Sequence, residues 1–130
     1  GFVGINVSVP IFNQYQVKNA IKLSRINVAN AQLNQENTRN TLRQQIEQAF
    51  LNGRSAALRY EASQANVAAL EQAVNQTEKR MNAGAATSLE YLNIKNNLTV
   101  AQLNLESAKY EYYFRLKILD FYQGKPVTLD

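Results

Sequence analysis

Met81-Asn82-Ala83-Gly84-Ala85-Ala86-Thr87-Ser88-Leu89-Glu90 is the stretch on which the fold turns. Gly84 can take the left-handed backbone conformation that closes a helix. Thr87 or Ser88 can cap a helix that follows. Thr87 and Glu90, three apart, have the spacing of a capping box. These residues predict a short, tight helix–helix turn. On either side of it little else interrupts a helix. The only prolines are Pro10 and Pro126, and from Pro10 to Tyr122 the only glycines are Gly53 and Gly84. So few breaks exclude a globule of many short elements, which needs a turn every dozen residues or so. Gly53 costs about 1 kcal/mol relative to Ala inside a helix, a weak point rather than a stop.

Upstream of the turn, from about Gln14 to Asn82, the apolar period is helical. Steps of seven from Ile21 give Val28, Gln35, Leu42, Ala49, Ala56, Ser63, Leu70 and Thr77; steps of seven from Ile46 give Gly53, Tyr60, Val67, Val74 and Met81. The two rows lie three or four residues apart and form one coiled-coil-like seam. Downstream, a second helix is predicted over Ser88 to Tyr122, with Gly124 and Pro126 marking its end. It carries two apolar stripes. One is Tyr91, Ile94, Leu98, Ala101, Leu105, Ala108, Tyr112, Leu119 and Tyr122; the other is Leu89, Leu92, Thr99, Leu103, Tyr110, Phe114 and Phe121. A lone hairpin needs one stripe per helix. Two stripes imply neighbours on two sides, as in a ring or bundle of helices.

The lengths do not match. At 1.5 Å per residue the first helix spans about 104 Å and the second about 52 Å. Folded back at Gly84, the second reaches only to about Ala49. Gln14 to Gln48, with Ile21, Ile26, Val28, Leu33 and Leu42, is left for other partners, because a helix survives in water mainly by burying its apolar face.

Residues 2–10 read differently. Val3, Ile5, Val7 and Val9 alternate with Gly4, Asn6 and Ser8, which predicts a strand ended by Pro10. A single strand must join a sheet elsewhere. One apolar and one polar face suit the wall of a membrane barrel. The fold expected is therefore all-α, a long antiparallel helical hairpin with a short N-terminal β-strand from a membrane barrel. Its parts are the strand at 2–10, the long helix at 14–82, the turn at 83–88, the returning helix at 88–122 and a tail at 123–130. The abrupt start at Gly1, without a signal peptide, marks the sequence as a piece of a longer chain in this reading.

Composition narrows the chemistry. Of 130 residues, Asn and Gln make 28 and Ala 16, which suits helices that meet water and pack closely rather than a thick core. Cys, His and Trp are absent, which removes disulfides, Cys/His zinc sites and His acid–base chemistry. The net charge of +4 is too mild to argue for nucleic acid. Lys18, Lys22, Arg25, Arg39, Arg43, Arg54 and Arg59 scatter along the first helix and read as a solvated face. Tyr110, Tyr112, Tyr113, Phe114, Phe121 and Tyr122 read as packing between neighbouring helices. Tyr60 with Glu61, or Glu106 with Glu111, has nothing converging on it that would make a catalytic pair, so no enzyme is expected.

In order along the chain, Val3-Gly4-Ile5-Asn6-Val7-Ser8-Val9-Pro10-Ile11-Phe12, then Ala83-Gly84-Ala85-Ala86-Thr87-Ser88-Leu89-Glu90-Tyr91-Leu92, then Ala101-Gln102-Leu103-Asn104-Leu105 and Ala108-Lys109-Tyr110-Glu111-Tyr112 resemble the TolC family of outer-membrane efflux proteins. The ordered set carries the resemblance, over almost the whole chain. It implies one strand–helix–turn–helix repeat, the C-terminal of two in a full chain. It also implies a homotrimer with a twelve-strand barrel in outer-membrane lipid and an α-helical tunnel in the periplasm of a Gram-negative cell. That tunnel would be a passive exit duct joining a periplasmic adaptor and an inner-membrane transporter, in multidrug efflux or type I secretion. No cofactor, metal or nucleic acid is implied. The turn residues Ala83, Gly84, Ala85, Ala86, Thr87, Ser88 and Leu89 become the expected adaptor-docking tip, and Glu90 a candidate pore constriction beside its capping role. Asn13-Gln14 stand where the family usually has a Gly-rich pair, and three positions near the tip also depart from the family pattern. Met81 and Ala86 stand where many relatives carry an aromatic and an Arg that hold the tip closed, and Asn93 stands where a second inward acid is expected. The competing reading is a scaffolding coiled coil without a pore.

Overall fold

The computed structural model describes residues 1–7 and 13–126. Two helices make up the fold, α1 over Asn13–Asn82 and α2 over Ser88–Tyr122. The chain divides into two units, Gly1–Arg43 and Gln44–Asp130, and each is described by itself.

The second unit is an antiparallel helical hairpin. From Ala49 to Met81, every residue of the two heptad rows is at least half-buried. Gly53, Ala56, Val67 and Thr77 are buried; Ala49, Tyr60, Ser63, Leu70, Val74 and Met81 are intermediate. α2 answers with Ala101 and Ala108 buried and with Tyr91, Ile94, Leu98, Leu105, Tyr112, Leu119 and Tyr122 half-buried. The row spacing of three and four keeps these residues on one side of each helix. Tyr60 stacks on Tyr112 with ring centroids 5.8 Å apart and planes 11° from parallel. Leu119 lies against Gly53. As α1 advances by seven from Gly53 to Tyr60, α2 retreats by seven from Leu119 to Tyr112, which fixes one antiparallel register. Beside the seam, Arg59 Nη1 donates to Glu111 Oε2 at 3.0 Å. The hairpin has one thin interface, and among the described residues no large side chain is completely buried. The second α2 stripe lies on nearly the opposite side of the helix. Leu89, Leu92, Leu103, Tyr110, Phe114 and Phe121 are all exposed, and so is Thr99.

α2 stops where Gly124 turns left-handed, at φ 75°. Lys125 N donates to Asp120 O at 3.0 Å and Gly124 N to Phe121 O at 3.0 Å, which satisfies carbonyls the last turn would leave open.

In the first unit every residue from Tyr15 to Arg43 is exposed. The expected strand is not shown. Residues 1–7 have no regular structure, residues 8–10 of the expected span lie outside the described residues, and among the described residues there is no strand. The physical reason is that a strand exists through hydrogen bonds to a neighbouring strand.

The aromatic residues near the end of α2 divide between the two sides of the helix. Tyr112 and Tyr122 turn to the seam, while Tyr110, Tyr113, Phe114 and Phe121 are exposed.

Candidate functional site at the hairpin tip

The turn is built from two helix-end devices placed back to back. At the end of α1, Gly84 has φ 74°, a conformation that an L side chain rarely adopts. This lets Gly84 N donate to Met81 O at 2.9 Å and Ala85 N to Arg80 O at 2.8 Å, the bond pair of a Schellman motif. At the start of α2, Glu90 N donates to Thr87 Oγ1 at 3.2 Å and Thr87 N to Glu90 Oε2 at 2.9 Å. The capping box is therefore complete, with Thr87 rather than Ser88 as the cap. The N–H groups of Ala83, Gly84, Ala85, Thr87 and Glu90 all bond within the turn or to its adjoining helix ends, so the tip holds its shape from local chemistry.

What the tip presents outward is small. Ala83, Gly84, Ala85, Thr87, Ser88 and Leu89 are exposed and Ala86 is half-buried. A Cβ added to Gly84 would meet no atom within 4 Å, so the space in front of this backbone is open. Leu89 is the one large apolar side chain on the surface of the turn, at 68% exposure. The contiguous docking residues expected from sequence thus form one outward surface of small side chains and accessible backbone with a single apolar projection.

Glu90 is exposed, and one of its carboxylate oxygens is engaged by the cap. Met81 is half-buried at the last seam position and Ala86 is an apolar stub, so neither can supply the hydrogen bonds that would tie one tip to another. Asn93 is exposed one turn from Glu90. Arg80 is a tip residue that the sequence reading passed over. Its Nη2 donates to Ala85 O at 3.2 Å, across the turn. The signal available for it was a cation in the last turn of a helix, where carbonyls lack partners.

Among the described residues, no group of acids could hold a metal ion. Two of the carboxylates singled out as conceivable catalytic groups, Glu106 and Glu111, are in surface ion pairs. Glu111 meets Arg59 at 3.0 Å and Arg115 at 3.8 Å, and Glu106 meets Lys109 at 4.0 Å. Tyr60 is spent on its stack with Tyr112. Among the described residues, no helix is long and apolar enough to cross a membrane.

No curated protein and no solved structure matches this chain. The sequence model of one family, described as outer membrane efflux protein, matches residues 2–124. That match takes in both helices and the tip between them, and with the two-helix hairpin it shows that the chain belongs to the outer membrane efflux protein family.

Proposed function

We propose that this chain is a wall segment of a passive outer-membrane exit duct. In this reading the hairpin is one stave of a trimeric α-helical tunnel in the periplasm, residues 2–10 complete a strand of the membrane barrel, and the energy for export comes from an inner-membrane transporter. The tip, Ala83 to Leu89, receives the periplasmic adaptor of an efflux or type I secretion system. The observation that carries the reading is the second α2 stripe. An apolar line from Leu89 to Phe121, exposed along the whole helix and facing away from the hairpin seam, has a use in a closed wall of helices and none in an isolated hairpin. The tip supports the docking part of the reading, because small side chains over an open backbone let a partner hairpin approach closely.

Glu90 serves first as the capping acid of α2. As a pore-lining constriction it has its position beside the tip in its favour, and the engagement of its carboxylate by Thr87 limits it.

The test is Gly84→Trp in the full-length protein. The variant is expected to reach the outer membrane and to assemble as the trimer, but to lose export. Normal export would overturn docking at the tip, and recovery of the unaltered protein from the cytosol would overturn the duct in favour of a scaffold.

A further inference from the structure

The chain's net charge is not spread over it. Tyr15 to Arg43 contains five cations, Lys18, Lys22, Arg25, Arg39 and Arg43, and one carboxylate, Glu36. Those six give +4, the whole net charge of the chain, so the rest of the sequence balances to zero. Along the chain the cations look scattered. At about 100° per residue on a helix, all six charged residues fall on one side, within an arc of about 100°. α1 is helical through this stretch, and every one of these residues is exposed. The opposite side carries Gln16, Asn27, Asn34 and Thr38 and no charge.

The charged side borders an apolar seam. Val17, Ile21, Val28 and Leu42 form one stripe, with Ala20, Ser24 and Ala29 beside it and Arg25 at its edge. Ile21, Val28 and Leu42 belong to the same heptad row as Ala49, Ala56 and Leu70, which pack against a helix in the second unit. The companion row changes character. It reads Gly53, Tyr60, Val67 where a helix covers it, and Lys18, Arg25, Gln32, Arg39 in the exposed stretch. Lys22 and Arg43 lie beyond that cationic row, on the same side of the apolar stripe, at positions that form interhelical ion pairs in coiled coils and so set partner choice. Leu23, Ile26 and Leu33 make a second stripe, nearly opposite, flanked by Asn19, Asn30 and Asn37, with no such demand for charge.

We infer that the Val17–Leu42 face of α1 is a docking surface for an acidic amphipathic helix, one with small or branched apolar residues at its seam and Glu or Asp along the border that meets the cations. A second copy of the same segment is excluded as the occupant, because pairing like faces sets cationic rows against each other. A nucleic acid would use the charges and leave the apolar row uncovered. The inference stands on charge and periodicity in this segment and does not depend on the duct reading.

The test measures binding of this 130-residue chain to two designed helical peptides that share a Leu/Ala seam and differ only in carrying Glu or Lys along one border of it. A duplex oligonucleotide serves as competitor. The Glu peptide is expected to bind about tenfold tighter than the Lys peptide at low salt, the order of effect for several exposed ion pairs acting together, with the gap narrowing as salt rises. Charge reversal by R25E, R39E and R43E together should invert the preference, with helicity by circular dichroism unchanged because all three residues are exposed. Equal binding of the two peptides, binding of neither, or displacement of the Glu peptide from its seam by the oligonucleotide at matched concentration overturns the inference.

Discussion

Leu119 occupies room that residue 53 leaves by having no side chain: a Cβ built on Gly53 would stand 3.0 Å from Leu119 Cδ1. Gly53 is therefore more than a weak point in a long helix. It is a place where α2 comes close, and its cost in helix propensity is offset by the contact it permits. Gly53→Leu should overpack the seam and lower the stability of the chain by about 1–3 kcal/mol. Urea denaturation checks this, and Leu119→Ala in the same chain should recover part of the loss, since the two side chains compete for one space.

One heptad nearer the tip, Tyr112→Ala removes a half-buried ring from its stack on Tyr60, while Glu111→Gln weakens exposed ion pairs to Arg59 and Arg115. The tyrosine variant should lose about 2 kcal/mol, from packing together with the aromatic pair. The glutamate variant should lose under about 1 kcal/mol, and the loss should shrink with added salt. Thermal melts at low and high salt separate the two, and an equal effect would contradict the ranking of packing above surface charge.

At the tip, Thr87→Ala deletes the cap and should cost about 1 kcal/mol. Glu90→Gln keeps a side chain able to reach back to Thr87 N, so the hairpin should be nearly as stable. In the full-length protein, single-channel recording of Glu90→Gln should show unchanged ion selectivity if the residue acts as a cap. A shift in selectivity would move it to the pore lining.

The elements legible in the sequence were those decided by local chemistry or by strict period. Gly84 with the Thr87–Glu90 box carries its bonding pattern in ten consecutive residues, and the structure forms it. The heptad rows from Ala49 to Met81 are the residues that α2 covers, and the rival α2 stripe is the one left exposed. What sequence could not give was long-range identity. Nothing near Gly53 says that Leu119 is its neighbour, sixty-six residues on. The six aromatics near the end of α2 lie close in sequence, yet helical rotation sends Tyr112 and Tyr122 to the seam and Tyr110, Phe114 and Phe121 to the exposed stripe, as their period predicts. Lys18 to Arg43 are spaced along the chain but aligned around the helix axis, on a solvated face whose one-sidedness shows only when the helix is wound. The strand was read from alternation, which describes its faces and not the partner it needs.

The central claim is that the exposed apolar stripe of α2 is covered by neighbouring helices when the protein is assembled. This chain contains no Cys, so single cysteines report locally. In full-length protein in the outer membrane, with any cysteines elsewhere replaced, Leu103→Cys and Phe114→Cys should be protected from a bulky maleimide, although these residues are 67% and 63% exposed in the single chain. Gln102→Cys and Asn104→Cys, on the flanking sides of the same helix, should react. Equal labelling of all four positions would contradict the account.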